Sequence, residues 1–183
     1  MNTKSNQPPQ DDAEAPLVFS DLPALYEAFA TKVFHYHYSR VQNLHAAEDL
    51  TSQTFLSAWE NWQRLRDPAK AVGWLFTIAR NKAADYFREN AQILHAELDD
   101  ELTFPTDRPE DVNNTAAKDG LLDLREQLRQ LPERDSELLR LRLVGELPFR
   151  EIARVMNQPL SRIKKRYYRL LERLKAQVEE NND

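Results

Sequence analysis

Apolar side chains recur three or four residues apart in two blocks of this chain, and between the blocks the pattern stops. Upstream, Leu22, Leu25, Tyr26, Phe29, Val33 and Phe34 keep that spacing, followed by Leu50, Phe55, Leu56, Trp59 and Trp62. Leu75, Ala79, Ala83 and Tyr86 make a third stripe. Periodicity returns after Leu121 and runs nearly to the carboxy terminus. This is the period at which side chains line one face of an α-helix. The expected fold is therefore all-α, with two small helical domains joined by a flexible acidic linker. With three glycines and no cysteine among 183 residues, a Gly-rich phosphate cradle, a disulfide framework, a thiolate metal site and a cysteine nucleophile are all excluded.

Punctuation sets the expected boundaries. Residues 1–16, rich in Asn, Gln, Pro, Asp and Ala, have no apolar period and read as a disordered tail. They are polar and acidic, unlike a secretory signal, and no apolar run approaches the roughly 18 residues of a membrane helix. No membrane insertion is expected, and the expected location is the cytoplasm. The first helical domain spans 17–90, with a loop from Gln63 to Gly73 marked by Pro68 and Gly73, and a third helix from Trp74 to Arg88. Residues 91–120 read as the acidic linker, 121–178 as the second domain and 179–183 as a tail. In the second domain Pro132 suits a helix start and Gly145 its end. Pro148 opens a further helix, Asn157-Gln158-Pro159 makes a short turn, and a last helix runs from about Pro159 to Val178. Two short helices around a tight turn, the second strongly basic, are a helix-turn-helix signature.

The net charge of −5 argues against a polyanion partner, but its distribution argues for one. Residues 97–124 carry nine acidic and two basic side chains, and residues 125–176 carry seven acidic and fourteen basic ones. A concentrated basic segment is the footprint of nucleic-acid contact. On the last helix, a turn of about 100° per residue places Tyr167, Leu170, Leu174 and Val178 within about 60° of Ile163. Arg162, Lys165, Arg166, Arg169 and Arg173 gather on the other side, between about 200° and 300°. Lys164 and Lys175 flank the stripe, and Tyr168 lies beside it. One face anchors and the other offers long donors to phosphates and base edges. The early turns of such a helix go deepest into the groove, so Arg162, Lys165 and Arg169 are the base-edge candidates. Arg166, Arg173 and Lys164 are the backbone-positioning ones.

The blocks Leu131-Pro132-Glu133-Arg134 and Gly145-Glu146-Leu147-Pro148-Phe149-Arg150-Glu151-Ile152-Ala153, followed by the basic helix, closely resemble region four of bacterial sigma factors. Ala47 to Trp59 resembles the polymerase-binding helix of sigma region two, and Trp74 to Asn81 the start of its promoter-reading helix. Both regions in order, with only a short linker between, resemble the extracytoplasmic-function (ECF) group. The resemblance covers roughly residues 17–178.

That resemblance implies a transcription initiation subunit of RNA polymerase rather than an enzyme, with no catalytic residue, metal or cofactor. It implies contact with a coiled coil of the largest polymerase subunit through Glu48, Asp49, Gln53 and Leu56, and with the flap of the second-largest subunit through region four. For the −10 element and strand separation it points to Arg66, Lys70, Trp74, Thr77, Arg80, Asn81 and Arg88, with Arg80 and Lys82 as phosphate contacts. For the −35 element it points to Ser161, Arg162, Lys164, Lys165, Arg166, Tyr168, Arg169 and Arg173. Promoter DNA and an anti-sigma factor are the further partners implied. Ser161-Arg162 replaces the small pair, often Gly-Thr, that commonly opens the family's reading helix, and the turn Met156-Asn157-Gln158 lacks its common glycine. The rival reading is a free-standing helix-turn-helix regulator that never joins polymerase; the block Ala47–Trp59 and the Trp74 helix count against it. His35 and His37, two apart, share no helix face and are not expected to hold a metal.

Overall fold

The computed structural model describes residues 18–96 and 131–180. The expected amino-terminal tail lies outside the described residues, as do all of the expected linker beyond Ala96 and the first part of the expected second domain.

Helix α1 (Leu22–Val41) begins at Asp21, whose carboxylate accepts the Ala24 N–H at 2.9 Å, and ends at Gln42 in the left-handed region. Helix α2 (Leu44–Asn61) is capped in the same way by Asn43, which accepts the Ala46 N–H at 2.9 Å. A side-chain acceptor at each start satisfies a backbone donor that has no partner inside the helix. Two residues join the helices, so they fold back as an antiparallel pair. Single 3-10 turns at Trp62–Arg64 and Pro68–Lys70 lead to α3 (Ala71–Ala96).

Helix α3 thus starts three residues before the expected Trp74 and runs past the expected Arg88. Asp67 accepts the Ala69 N–H at 3.1 Å and Pro68 sits in the first turn. Asp-Pro here is a helix-start device, where the sequence pattern reads as loop punctuation.

After Leu131, α4 (Glu133–Leu139) passes into one widened turn, Arg140–Val144, in which the Gly145 N–H reaches back to the Arg140 carbonyl at 2.9 Å. Helices α5 (Phe149–Val155) and α6 (Leu160–Glu180) follow. Gly145 ends the helix as expected, but its own φ is −75°; the left-handed residue is Glu146, with φ 54°. Asn157, with φ 50°, takes the left-handed place in the α5–α6 turn, which Asn tolerates better than most residues. Among the described residues there is no strand.

The two halves share one apolar core. Leu25, Phe29, Val33 and Tyr36 of α1, Phe55 and Ala58 of α2, and Leu75, Phe76 and Ala79 of α3 are buried. They are continuous with Leu138, Leu141, Leu147, Phe149, Ile152 and Ile163 from the second half. Phe76 is central: its ring meets Phe29 edge-on at 6.2 Å and Tyr36 at 5.7 Å. It also presses on Gly145, where an added Cβ would stand 2.9 Å from its Cε1. Helix α3 packs on α1 and α2 on one side and on α5 on the other. Sequence patterning foresees two modules and does not foresee this apposition.

His37 is fully buried between α1 and α2. Thr54 gives its hydroxyl proton to the Leu50 carbonyl at 2.7 Å. It therefore accepts from His37 Nε2–H at 3.0 Å, and Nδ1 is left without a partner. Burial, and then the nearby Arg40 charge, lower the His37 pKa to about 4. The unfolded chain, with an ordinary histidine near 6.5, binds this proton first on acidification. Folding stability should therefore fall between pH 6.5 and 4, by up to about 1.4 kcal/mol per pH unit from this residue. Buried Glu151, with a raised pKa, contributes in the opposite sense. Urea unfolding across this range, compared between wild type and His37→Leu, isolates the histidine: the variant's slope should be shallower by that amount.

Candidate nucleic-acid interface

Helix α6 is divided between an anchor and a cationic edge. Its start is fixed by the Pro159 carbonyl, which accepts the N–H groups of Arg162 and Ile163 at 3.0 and 3.1 Å. Ile163 and Leu170 are buried, and Tyr167 meets Phe149 edge-on at 5.1 Å. On the opposite edge Ser161, Arg162, Lys165, Arg169 and Arg173 are exposed. Arg162, Lys165 and Arg169 have no ion-pair partner among the described residues, so their full charge faces outward.

Arg166 is different. Its Nε lies 2.8 Å from the largely buried Asp135 of α4, with Arg173 at 3.9 Å from the same carboxylate. This pair ties α6 to α4. Tyr168 is half-buried, 6.2 Å from the Phe149 ring and 5.7 Å from Tyr167. Lys164 is half-buried on the flank.

The upstream set is spread along α3 and the segment before it. Trp74 is half-buried, its ring 6.1 Å from that of Trp62. Thr77 gives its hydroxyl proton to the Gly73 carbonyl at 2.7 Å, inside its own helix. Arg66 and Asn81 are exposed. Lys70 pairs with Asp67 at 2.9 Å, and that contact holds the Asp67 carboxyl below its usual range. Arg88 pairs with Asp85. Arg80 turns toward the second half, donating to the Val155 carbonyl at 3.3 Å and standing 3.7 Å from Glu137. A cleft of about 230 Å³ opens there, lined by Arg40, Arg80, Asn81, Glu133, Arg134 and Glu137.

On α2, Glu48, Asp49, Gln53 and Leu56 are all exposed. Asp49, Gln53 and Leu56 share one edge, four and three residues apart, and Glu48 stands 3.7 Å from His45. Trp59 is 67% exposed and Tyr26 52% exposed, although apolar spacing places both in the core stripe. They border an open groove of about 300 Å³ with Leu22, Pro23 and Phe55. The signal was present for Trp59: about 100° per residue puts it opposite Leu50.

The feature that residue patterns miss is a buried ionic cluster between the halves. Glu137 is 3% exposed. It accepts the Tyr36 hydroxyl at 2.7 Å and the Arg40 Nη1 at 3.1 Å, with Arg140 at 3.7 Å. Arg40 and Arg140 also reach Glu133, each at 3.2 Å. Burial and then the Glu137 charge push the Tyr36 hydroxyl well above its usual range, so it remains a donor. No single-helix pattern links residues 101 positions apart.

Comparison with known proteins then gives two matches in order. Residues 25–93 match the family Sigma-70 region 2, and residues 121–174 match Sigma-70, region 4. The chain is 32% identical over 154 residues to the ECF RNA polymerase sigma factor BldN of Streptomyces coelicolor, covering 82% of this chain and 57% of that protein. It is 26% identical to the RNA polymerase sigma factor YlaC of Bacillus subtilis, covering 87% of this chain and 92% of that protein. The fold is that of the sigma factor RpoE in its co-crystal structure with the anti-sigma factor NepR from Bartonella quintana. There the TM-score is 0.67 at 19% identity, covering 88% of this chain and 98% of that one. No helix among the described residues is long and apolar enough to cross a membrane.

The division of α2 into buried and exposed faces is directly testable. Phe55→Ala should cost about 3–5 kcal/mol of stability, and Leu56→Ala, one residue on, should stay within about 0.5 kcal/mol. Urea unfolding of both variants measures it.

Proposed function

The chain belongs to the sigma-70 family, in its ECF group, and from that premise we propose that it joins RNA polymerase core and directs it to promoters. It acts as a binding subunit in the cytoplasm and uses no metal or cofactor of its own. Residues 17–90 form the unit that grips polymerase and reads the −10 element, 91–120 the linker, and 121–178 the unit that reads the −35 element. The exposed edge Glu48, Asp49, Gln53 and Leu56 offers carboxylates, an amide and an apolar contact to the coiled coil of the largest subunit. The second unit meets the flap of the second-largest subunit.

Strand opening takes bases out of the stack at a cost of a few kcal/mol. Aromatic stacking and cationic backbone contacts offset it. Trp74 and Asn81 suit the bases, and Arg66, Lys70, Thr77, Arg80 and Arg88 suit the backbone and pocket walls. On α6, Arg162, Lys165 and Arg169 face base edges in the major groove. Ser161, Lys164, Arg166, Tyr168 and Arg173 set the register on phosphates. A relative of this fold has been captured with an anti-sigma factor, and a partner of that kind is proposed here too.

The observation that carries this reading is the pairing of both region matches, in order, on one chain. A free-standing helix-turn-helix regulator has no use for the first. Core polymerase reconstituted with this chain on a promoter library tests the choice. Promoter-specific transcripts are expected; duplex binding with no polymerase dependence would overturn the reading. Within that assay, Arg162→Ala or Lys165→Ala should lower preference for the upstream element by about 1–3 kcal/mol for each true base contact. Uniform weakening on every sequence would make them phosphate contacts instead. Affinity should fall with salt at a log–log slope of about −0.9 per phosphate neutralised.

A further inference from the structure

The cleft beside Arg80 has walls of two kinds. On its inner side the charges are already satisfied by one another. Glu133 holds Arg40 and Arg140, each at 3.2 Å, and Glu137 takes the Tyr36 hydroxyl and Arg40. Both carboxylates therefore have donors without help from the outer residues.

The outer residues are unspent. Arg134 of α4 is exposed and has no ion-pair or hydrogen-bond partner among the described residues. Arg80 gives Nη1 to the Val155 carbonyl and holds Nε 3.7 Å from Glu137, which leaves its Nη2 without a hydrogen bond among the described residues. The exposed Asn81 amide is unpaired in the same sense. Around the cleft the guanidinium groups of Arg40, Arg80, Arg134 and Arg140 outnumber the two carboxylates, so the local charge is positive although that of the chain is not.

A guanidinium is the side chain that matches a phosphate, with a planar fork of N–H donors and a permanent charge. Two such forks enter this cleft from different helices and make a seat for an oxyanion. The rest of the lining fits a flat ring. Asn81 and Ala84 lie three apart on one face of α3, and buried Met156 adds an adaptable apolar surface. A carboxamide both donates and accepts, as a base edge requires. The volume of about 230 Å³ falls just below the range of roughly 300–1,000 Å³ common to small-molecule sites. That is the scale of one nucleotide rather than of a strand.

We propose that this cleft binds a nucleoside monophosphate, with its phosphate on Arg80 and Arg134, its base against Ala84 and Met156, and the base edge read by the Asn81 amide. The bound nucleotide occupies Arg80 and Asn81, so it competes with the separated strand for them. The competition, unlike the binding, rests on the function proposed above.

Calorimetric titration of the full-length chain with AMP and GMP tests the site with no polymerase or DNA present. Binding of at least one of them with a Kd below about 1 mM is expected. Arg134→Ala removes an exposed, unpaired side chain, and should weaken that binding about tenfold through the loss of one charge-assisted contact. Ala84→Leu, a second exposed position, should weaken it by filling the place of the base. Asn81→Ala should change the preference between the two nucleotides. Ribose 5-phosphate should bind at least about tenfold more weakly than the nucleotide, since it lacks the base. No binding of either nucleotide overturns the proposal. So does an affinity indifferent to Arg134→Ala and Ala84→Leu, or ribose 5-phosphate binding as tightly as the nucleotide.

With polymerase core added, the same nucleotide should weaken binding of a labelled −10 single strand. Arg134→Ala should abolish that effect and keep the strand affinity. A strand affinity unmoved by the nucleotide overturns the competition. A chain that binds the nucleotide yet never joins polymerase counts instead against the function proposed above, and the calorimetry then decides the site by itself.

Discussion

The arrangement of this protein turns on one buried carboxylate. Glu137, from the second half, is withdrawn from water and surrounded by Tyr36, Arg40 and Arg80 of the first half, with Arg140 of its own. An isolated charge in that place would be expensive, and even a paired one gains little net stability over apolar packing. What such a cluster provides is selectivity of fit: if the halves slide, the carboxylate loses several donors at once. Phe76 and Gly145 supply the apolar part of the same joint. These polar contacts fix the register of a joint whose apolar part is the core that both halves share.

The cationic side chains divide according to what they face. Arg40, Arg80 and Arg140 point into the joint, and Arg166 and Arg173 lean on Asp135 to fix α6 on its scaffold. Arg162, Lys165 and Arg169 remain turned outward. The cationic side chains thus form three groups rather than one surface, and the last has no ion-pair partner among the described residues. A chain with net charge −5 can hold an outward cationic edge because the sign is set locally over a few ångströms and is screened beyond about 10 Å at ordinary salt.

Within each helix the sequence was readable. The apolar period placed Leu25, Phe29 and Val33 of α1, Leu75, Ala79 and Ala83 of α3, and Ile163 and Leu170 of α6 in the core, where they lie. It failed at stripe edges. Tyr26 and Trp59 are apolar at near-helical spacing but border an open groove, because hydrophobic character says nothing of whether a neighbour arrives to cover it. It failed again at Asp67-Pro68, a helix start that resembles a break. It was silent on the joint, since Tyr36, Arg40, Arg80 and Glu137 come from three helices and nothing local relates them. The split among the arginines was half legible: helical angle separates Arg162, Lys165 and Arg169 from the apolar face, but only the fold reveals that Asp135 claims Arg166.

The proposed function requires two helical units on one chain to serve a single polymerase-bound task. The most direct measurement is the affinity of the purified full-length chain for RNA polymerase core, with no DNA and no inhibitory partner present. A tight one-to-one complex, weakened by Asp49→Ala or Leu56→Ala but indifferent to Arg162→Ala, is the predicted result. A chain that binds duplex DNA through α6 yet shows no association with core at any accessible concentration would contradict it.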